Sequence, residues 1–435
     1  MKRRNRRVPF SSPLIPWVIL MVAISVSAAP ANRQPSPSLL SLGDDGRQGN
    51  AFSVRPEISA DGQVVAFISM ASNLVTDARP GLNIYVRDVG LETTRLAYRD
   101  AGAIGAVDTD PTISGNGKVV ALASTVGIGF HTSARQIVLV EGDERDVVSR
   151  NDDGDVSTGQ SVTPSLSFNG RRVAFVAVAE NLAPGCSERF SAIYLRDRAT
   201  GTTRCLSVGK DGQPADGASL QPVISADGMF VAFRSAATNL VAGDTNGVDD
   251  VFVYSVGEAT LRRVSVGADG AQAEGESSDP SISGDGTNIA FLSRAGNLDR
   301  RAMNGEYAVF VRDLSNSTTR LASVSSKGKA AETFSGQPRI SADGRYVAFL
   351  SPSSVLAGKR SNGKRQIYRH DLSTGDTILV SRGHDALPGN GNSFQPAISA
   401  NGQMMAFRSA ASNLVKEDTN LTDDVFHITL PVSDR

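Results

Sequence analysis

Side chains able to do chemistry are thinly spread along these 435 residues. Only four histidines occur, His131, His370, His384 and His427, and no two stand at a spacing that would share a metal. No G-x-S-x-G elbow and no H-E-x-x-H pair is present. Residues 358–365, GKRSNGKR, have the outline of a phosphate loop, but Arg365 stands where a serine or threonine would hold magnesium. Residues 244–250 (DTNGVDD) and 418–424 (DTNLTDD) gather oxygen ligands without the alternate spacing and closing glutamate of a calcium loop, and such Asp/Asn stretches form turns. No metal site and no cofactor is expected. One carboxylate pair, Asp110 with Asp279, could perform acid–base work on a polysaccharide if the fold held the two at hydrolytic separation.

Charge is more informative than catalytic motifs. Lys and Arg number 44 against 45 Asp and Glu, a net charge of -1, so nothing pulls the whole chain toward nucleic acid or an anionic membrane. Locally the balance breaks. Arg300, Arg301, Lys359, Arg360, Lys364 and Arg365 fall in two neighbouring segments, whereas the corresponding segments on either side carry Asp244, Asp249, Asp250, Glu417, Asp418, Asp423 and Asp424. An electrically divided surface of this kind can steer an anionic partner.

The elements that must position these groups repeat. Residues 221–235, QPVISADGMFVAFRS, are one of seven copies, whose prolines are Pro56, Pro111, Pro164, Pro222, Pro280, Pro338 and Pro396, stepping by 55, 53, 58, 58, 58 and 58. A fixed period of this size marks a repeat architecture. Asp-Gly or Asn-Gly follows each short apolar run and suits a tight hairpin. Ala then precedes Phe, or Leu in one copy, so one sheet face offers a small residue and the other a bulky one. In the fourth copy the strands are expected at 221–225, 230–235, 250–254 and 261–266. The last copy lacks a fourth strand, and the N-terminal residues 38–42 carry that strand's signature, so the two chain ends should share one sheet. The expected fold is all-β, a seven-bladed β-propeller with four antiparallel strands per blade, occupying residues 38–435.

Two further features bear on function. Arg55, Asp110, Thr163, Gln221, Asp279, Gln337 and Gln395 precede the repeat prolines, and one such residue per blade at the start of the innermost strand would ring the central opening with polar groups. The two cysteines, Cys186 and Cys205, lie in the third repeat and could form a disulfide or remain thiols.

Lys2, Arg3, Arg4, Arg6 and Arg7 precede an apolar run at 14–26 and small residues at Ala28 and Ala29, the layout of a cleaved secretory signal over residues 1–28. Residues 29–37 read as a linker. A periplasmic or secreted monomer without stable membrane insertion is expected.

The S-x-D-G-x-x-[VI]-A-F pattern, with Asn-Leu after the second strand at Asn73-Leu74, Asn181-Leu182, Asn239-Leu240, Asn297-Leu298 and Asn413-Leu414, resembles the WD-like repeats of TolB-like exported propellers. The resemblance covers the mature chain and is specific for fold. It is not specific for activity, since such repeats occur in partner-binding proteins and in propellers attached to hydrolases. With no catalytic signature and a large loop-bearing surface, a binding scaffold for a protein or envelope component is expected, the alternative being a propeller lyase or hydrolase acting on a polysaccharide at the channel. Residues present in every copy are read as structural, and function is sought where one blade departs from its siblings.

Overall fold

The computed structural model describes residues 35–78, 80–99, 111–125, 134–303, 305–357 and 361–431. The signal expected over 1–28 therefore lies outside the described residues, as do Asp110, His131, Lys359 and Arg360. Seven four-stranded antiparallel sheets form a seven-bladed β-propeller, accompanied among the described residues by one short helix, Ser354–Ala357. No helix among them is long and apolar enough to cross a membrane.

Blade four shows the unit: Ser219–Ile224, Phe230–Ser235, Asp250–Ser255 and Thr260–Arg263. Two boundaries differ from the sequence expectation by more than one residue. The first strand begins two residues earlier, so Pro222 lies inside it. This is tolerated because the register shifts between Leu220 and Val223, a bulge in which the proline owes the ladder no N–H. The fourth strand stops at Arg263, and the S-V-G-x-D-G signature is the tight turn beyond it, closed by a bridge between Val266 and Gln272. Its serine has a definite task. The Ser265 hydroxyl accepts the Val251 N–H at 3.1 Å, and Ser149, Ser207, Ser323 and Ser381 do the same for Ile137, Ile193, Val309 and Ile367.

Ring closure repeats this chemistry between the two ends of the chain. Ser38–Leu39 pairs antiparallel with Asp424–Thr429, matching Ser38 to His427 and Leu39 to Phe426. Leu40 N donates to Val425 O at 2.8 Å, as Val264 N does to Val251 O at 2.7 Å in blade four. Ser41 accepts Val425 N at 3.3 Å and donates to Asp424 Oδ1 at 2.6 Å. The ladder itself covers two residues of the expected five, and the rest of the stitch is made by these bonds.

The small-against-large rule holds between blades. In six blades the second-strand Phe stacks on a third-strand aromatic: Phe67–Tyr85, Phe175–Tyr194, Phe233–Phe252, Phe291–Phe310, Phe349–Tyr368 and Phe407–Phe426. Each pair packs against the alanine of the preceding blade, for example Phe291 and Phe310 against Ala232, and Phe67 and Tyr85 against Ala406 across the seam. Fully burying one such ring contributes about 1.5–3 kcal/mol. Blade two substitutes Leu122 and Val138, packed on Ala66.

Candidate functional site

Most of the recurring polar residues are committed to holding blades together. Asn73, Asn181, Asn239, Asn297 and Asn413 donate to the carbonyls of Gln48, Val156, Pro214, Gln272 and Pro388, tying each second-to-third-strand connection to the segment that enters the blade. The D-x-N connections are likewise closed on themselves: Asn246 bonds Asp250 and the Ala273 carbonyl, and Asn420 bonds the Gly49 carbonyl. Cys186 and Cys205, 19 residues apart, form a disulfide with a Cα–Cα distance of 5.5 Å.

The residues before the prolines sit inside the first strands, not at their starts. All six described copies are left-handed: Arg55, Thr163, Gln221, Asp279, Gln337 and Gln395 have φ between 47 and 57°. Such a conformation costs about 1 kcal/mol or more for a residue with a Cβ. In three blades the N–H of this residue is caught by a glutamine of the neighbouring blade. Gln221 Oε1 accepts Asp279 N at 3.1 Å, Gln337 Oε1 accepts Gln395 N at 2.7 Å, and Gln395 Oε1 accepts Arg55 N at 3.0 Å. These glutamines are therefore spent on the inner ring's own backbone. Burial raises the Glu57 carboxyl above the usual range, and Arg339 partly offsets this. Glu57 belongs to the first strand of blade one and Arg339 to that of blade six.

On the face where second strands end and third strands begin, the predicted basic residues separate into different roles. Arg301 is taken up by Asp299, with Nη2–Oδ2 at 2.7 Å, while Arg300 and Lys364 are exposed and make no ion pair among the described residues. Arg365 belongs to a constellation absent from the sequence reading. Its guanidinium carbon lies 5.9 Å from the centroid of Phe334 and 5.5 Å from that of Phe394. Phe394 also packs against Arg408 at 5.0 Å, and Arg408 pairs with Asp423 at 3.0 Å. On the other side Phe334 meets Tyr307 edge-on at 6.2 Å, and Tyr307 carries Arg294 at 4.8 Å and donates to Glu276 Oε2 at 2.8 Å. Arg234, between Glu276 and Asp249, ends the series. An unbroken arc of aromatic and charged side chains thus runs over blades four to seven.

One sequence signal pointed to this arc. Position 336 is glycine where the described sibling blades have Val54, Val162, Leu220, Ser278 and Phe394. A Cβ at Gly336 would stand 2.6 Å from Phe334 Cζ, so the missing side chain makes room for that ring.

Comparison with known proteins adds the fold and little else. No family model matches the chain, and no curated protein does. Among solved structures, the β-propeller domain of the Trilobed protease from Pyrococcus furiosus aligns with a TM-score of 0.54 at 11% identity, over 87% of this chain and 93% of that one. A putative TolB from Agrobacterium tumefaciens aligns with a TM-score of 0.41 at 16% identity, over 66% and 88%. Pyrococcus horikoshii acylaminoacyl peptidase aligns with a TM-score of 0.49 at 10% identity, over 82% of this chain and 49% of that one.

Proposed function

We propose that this protein is an exported, non-enzymatic binding scaffold that engages a protein or envelope component through the face bearing the second-to-third-strand connections of blades four to seven. The observation that carries the reading is the arc just described. Elsewhere the recurring polar groups are consumed by inter-blade bonds, whereas here one blade after another departs from the repeat and places aromatic and charged groups at the surface. Aromatic residues and arginine are the side chains that dominate binding energy at protein interfaces. Export is supported by the basic, apolar and small-residue layout of residues 1–28, and cleavage would leave the propeller from about residue 29 onward.

The test is a charge reversal on that face. Arg300, Lys364 and Arg365 are changed together to glutamate, leaving Arg301 to its Asp299 partner, and the tagged protein is used to recover partners from envelope extract. Recovery by the native protein that is lost in the variant, at equal melting temperature, supports the reading. Equal recovery by both removes it.

A further inference from the structure

We infer that Arg365, clamped between Phe334 and Phe394, is the anchor for a carboxylate of an acidic peptide segment in the partner. This deepens the binding-face reading and rests on it. Every flanking arginine has an oxygen partner: Arg294 Nε donates to Gly305 O at 3.0 Å, Arg408 pairs with Asp423 at 3.0 Å, and Arg234 pairs with Asp249 at 3.2 Å. Arg365 differs. It is exposed, its backbone N–H is satisfied by Asn392 and its carbonyl by Ser393, but its guanidinium has no oxygen partner among the described residues. Rings on two sides restrict how the side chain can swing, so less rotamer freedom is lost when an anion docks. A guanidinium edge is a planar fork of donors that matches a carboxylate in two parallel hydrogen bonds.

The same geometry argues against a saccharide. Sugar recognition would need an open aromatic face. Here Phe394 lies between Arg365 and Arg408, Phe334 lies against Arg365 and over Gly336, and Tyr307 is covered by Arg294. What remains presented is the donor edge of Arg365, with exposed Lys364 beside it in sequence.

The experiment titrates the mature protein with fluorescently labelled hexaglutamate, and separately with oligogalacturonate. Arg365→Ala should weaken hexaglutamate binding roughly tenfold, the loss of one bidentate charged pair. Arg365→Lys should recover only part of that affinity, because the planar fork is lost while the charge remains. Gly336→Val should weaken binding about threefold at unchanged melting temperature, because its side chain displaces only the far end of the Phe334 ring. Equal hexaglutamate affinity for the native protein and Arg365→Ala, or no binding by the native protein, overturns the assignment. Tighter binding of oligogalacturonate that is lost in Arg365→Ala also overturns it, in favour of an acidic polysaccharide. Pull-down separates the two levels of the argument. If the triple charge reversal loses the envelope partner while Arg365→Ala keeps it, the face stands and the anchor falls. If both keep it, both fall.

Discussion

Blades four and seven carry nearly the same connection, DTNGVDD and DTNLTDD, yet they sit in different electrostatic settings. In blade four the buried pair Asp244 and Asp250 is faced by Arg263, at 3.6 and 3.8 Å, whose remaining nitrogen Nη1 donates to Gln272. In blade seven the strand that would supply the arginine comes from the chain's other end, and Leu39 occupies the place opposite Phe426 that Arg263 holds opposite Phe252. Gln48 alone bridges Asp418 and Asp424, at 2.9 and 2.8 Å. Burial, reinforced by Asp418, then pushes the Asp424 carboxyl up to about 6, although Ser41 and Gln48 donate to it. Two copies of one motif thus show that a repeat fixes the backbone and leaves the charge balance to whichever strand completes the sheet.

The largest expected effect comes from breaking the stitch. Removing residues up to Leu42 exposes the edge of blade seven, takes the buried side chain Leu40 out of the core and strips the buried Asp424 of Ser41. The cost should be roughly 4–6 kcal/mol, read as a lower denaturation midpoint with proteolysis starting in blade seven. Next is Arg263→Met, which leaves two buried carboxylates unpaired and should cost about 3–5 kcal/mol by chemical denaturation. The same loss has no counterpart in blade seven, where Leu39 already stands.

Smaller is a pH effect at the seam. Because the folded-state pKa of Asp424 is raised from 3.8 to about 6, the protonated form is favoured on folding. Its contribution is present below about pH 4 and is lost as pH rises through 6, amounting to about 3 kcal/mol when complete. Asp424→Asn should therefore flatten this part of the stability–pH curve, whereas native and variant curves that run parallel from pH 4 to 7 would refute the assignment. The smallest effect is expected from Leu39→Arg, which gives blade seven the guanidinium of blade four. It should recover about 1–2 kcal/mol of the stability lost at neutral pH by lowering the Asp424 pKa.

Much of the fold was legible because the repeat states it redundantly. Ser41-Leu42-Gly43 could be recognised as a stray copy of Ser265-Val266-Gly267, which located the seam before any coordinates. Alanine beside phenylalanine at six of the seven second strands likewise told how the blades would pack. The bulge was not legible. A residue before proline is normally extended, and the inter-blade capture of its N–H accompanies a left-handed Arg55, Asp279 or Gln395. The residues before the prolines therefore lie inside the first strands rather than at their starts, and three of the glutamines bind neighbouring backbone. Of the candidate site, Arg365 was named from its charge, but its clamp was not, because the emptiness of Gly336 acquires meaning only when Phe334 is seen to fill it. His370 shows the same limit. It stands where Arg87, Arg196 and Arg312 stand in other blades and, like them, bonds a fourth-strand threonine, here Thr377, a structural duty the sequence did not announce.

The closing claim, that the N-terminal strand completes blade seven as an equal of its covalent counterparts, is tested most directly by amide hydrogen exchange at Val425 and Val251. Both N–H groups are held by a serine hydroxyl of the fourth-strand exit, Ser41 in one case and Ser265 in the other. Protection of Val425 within about tenfold of Val251 at pH 5 is the predicted result. Exchange of Val425 at the rate of an exposed loop would contradict it.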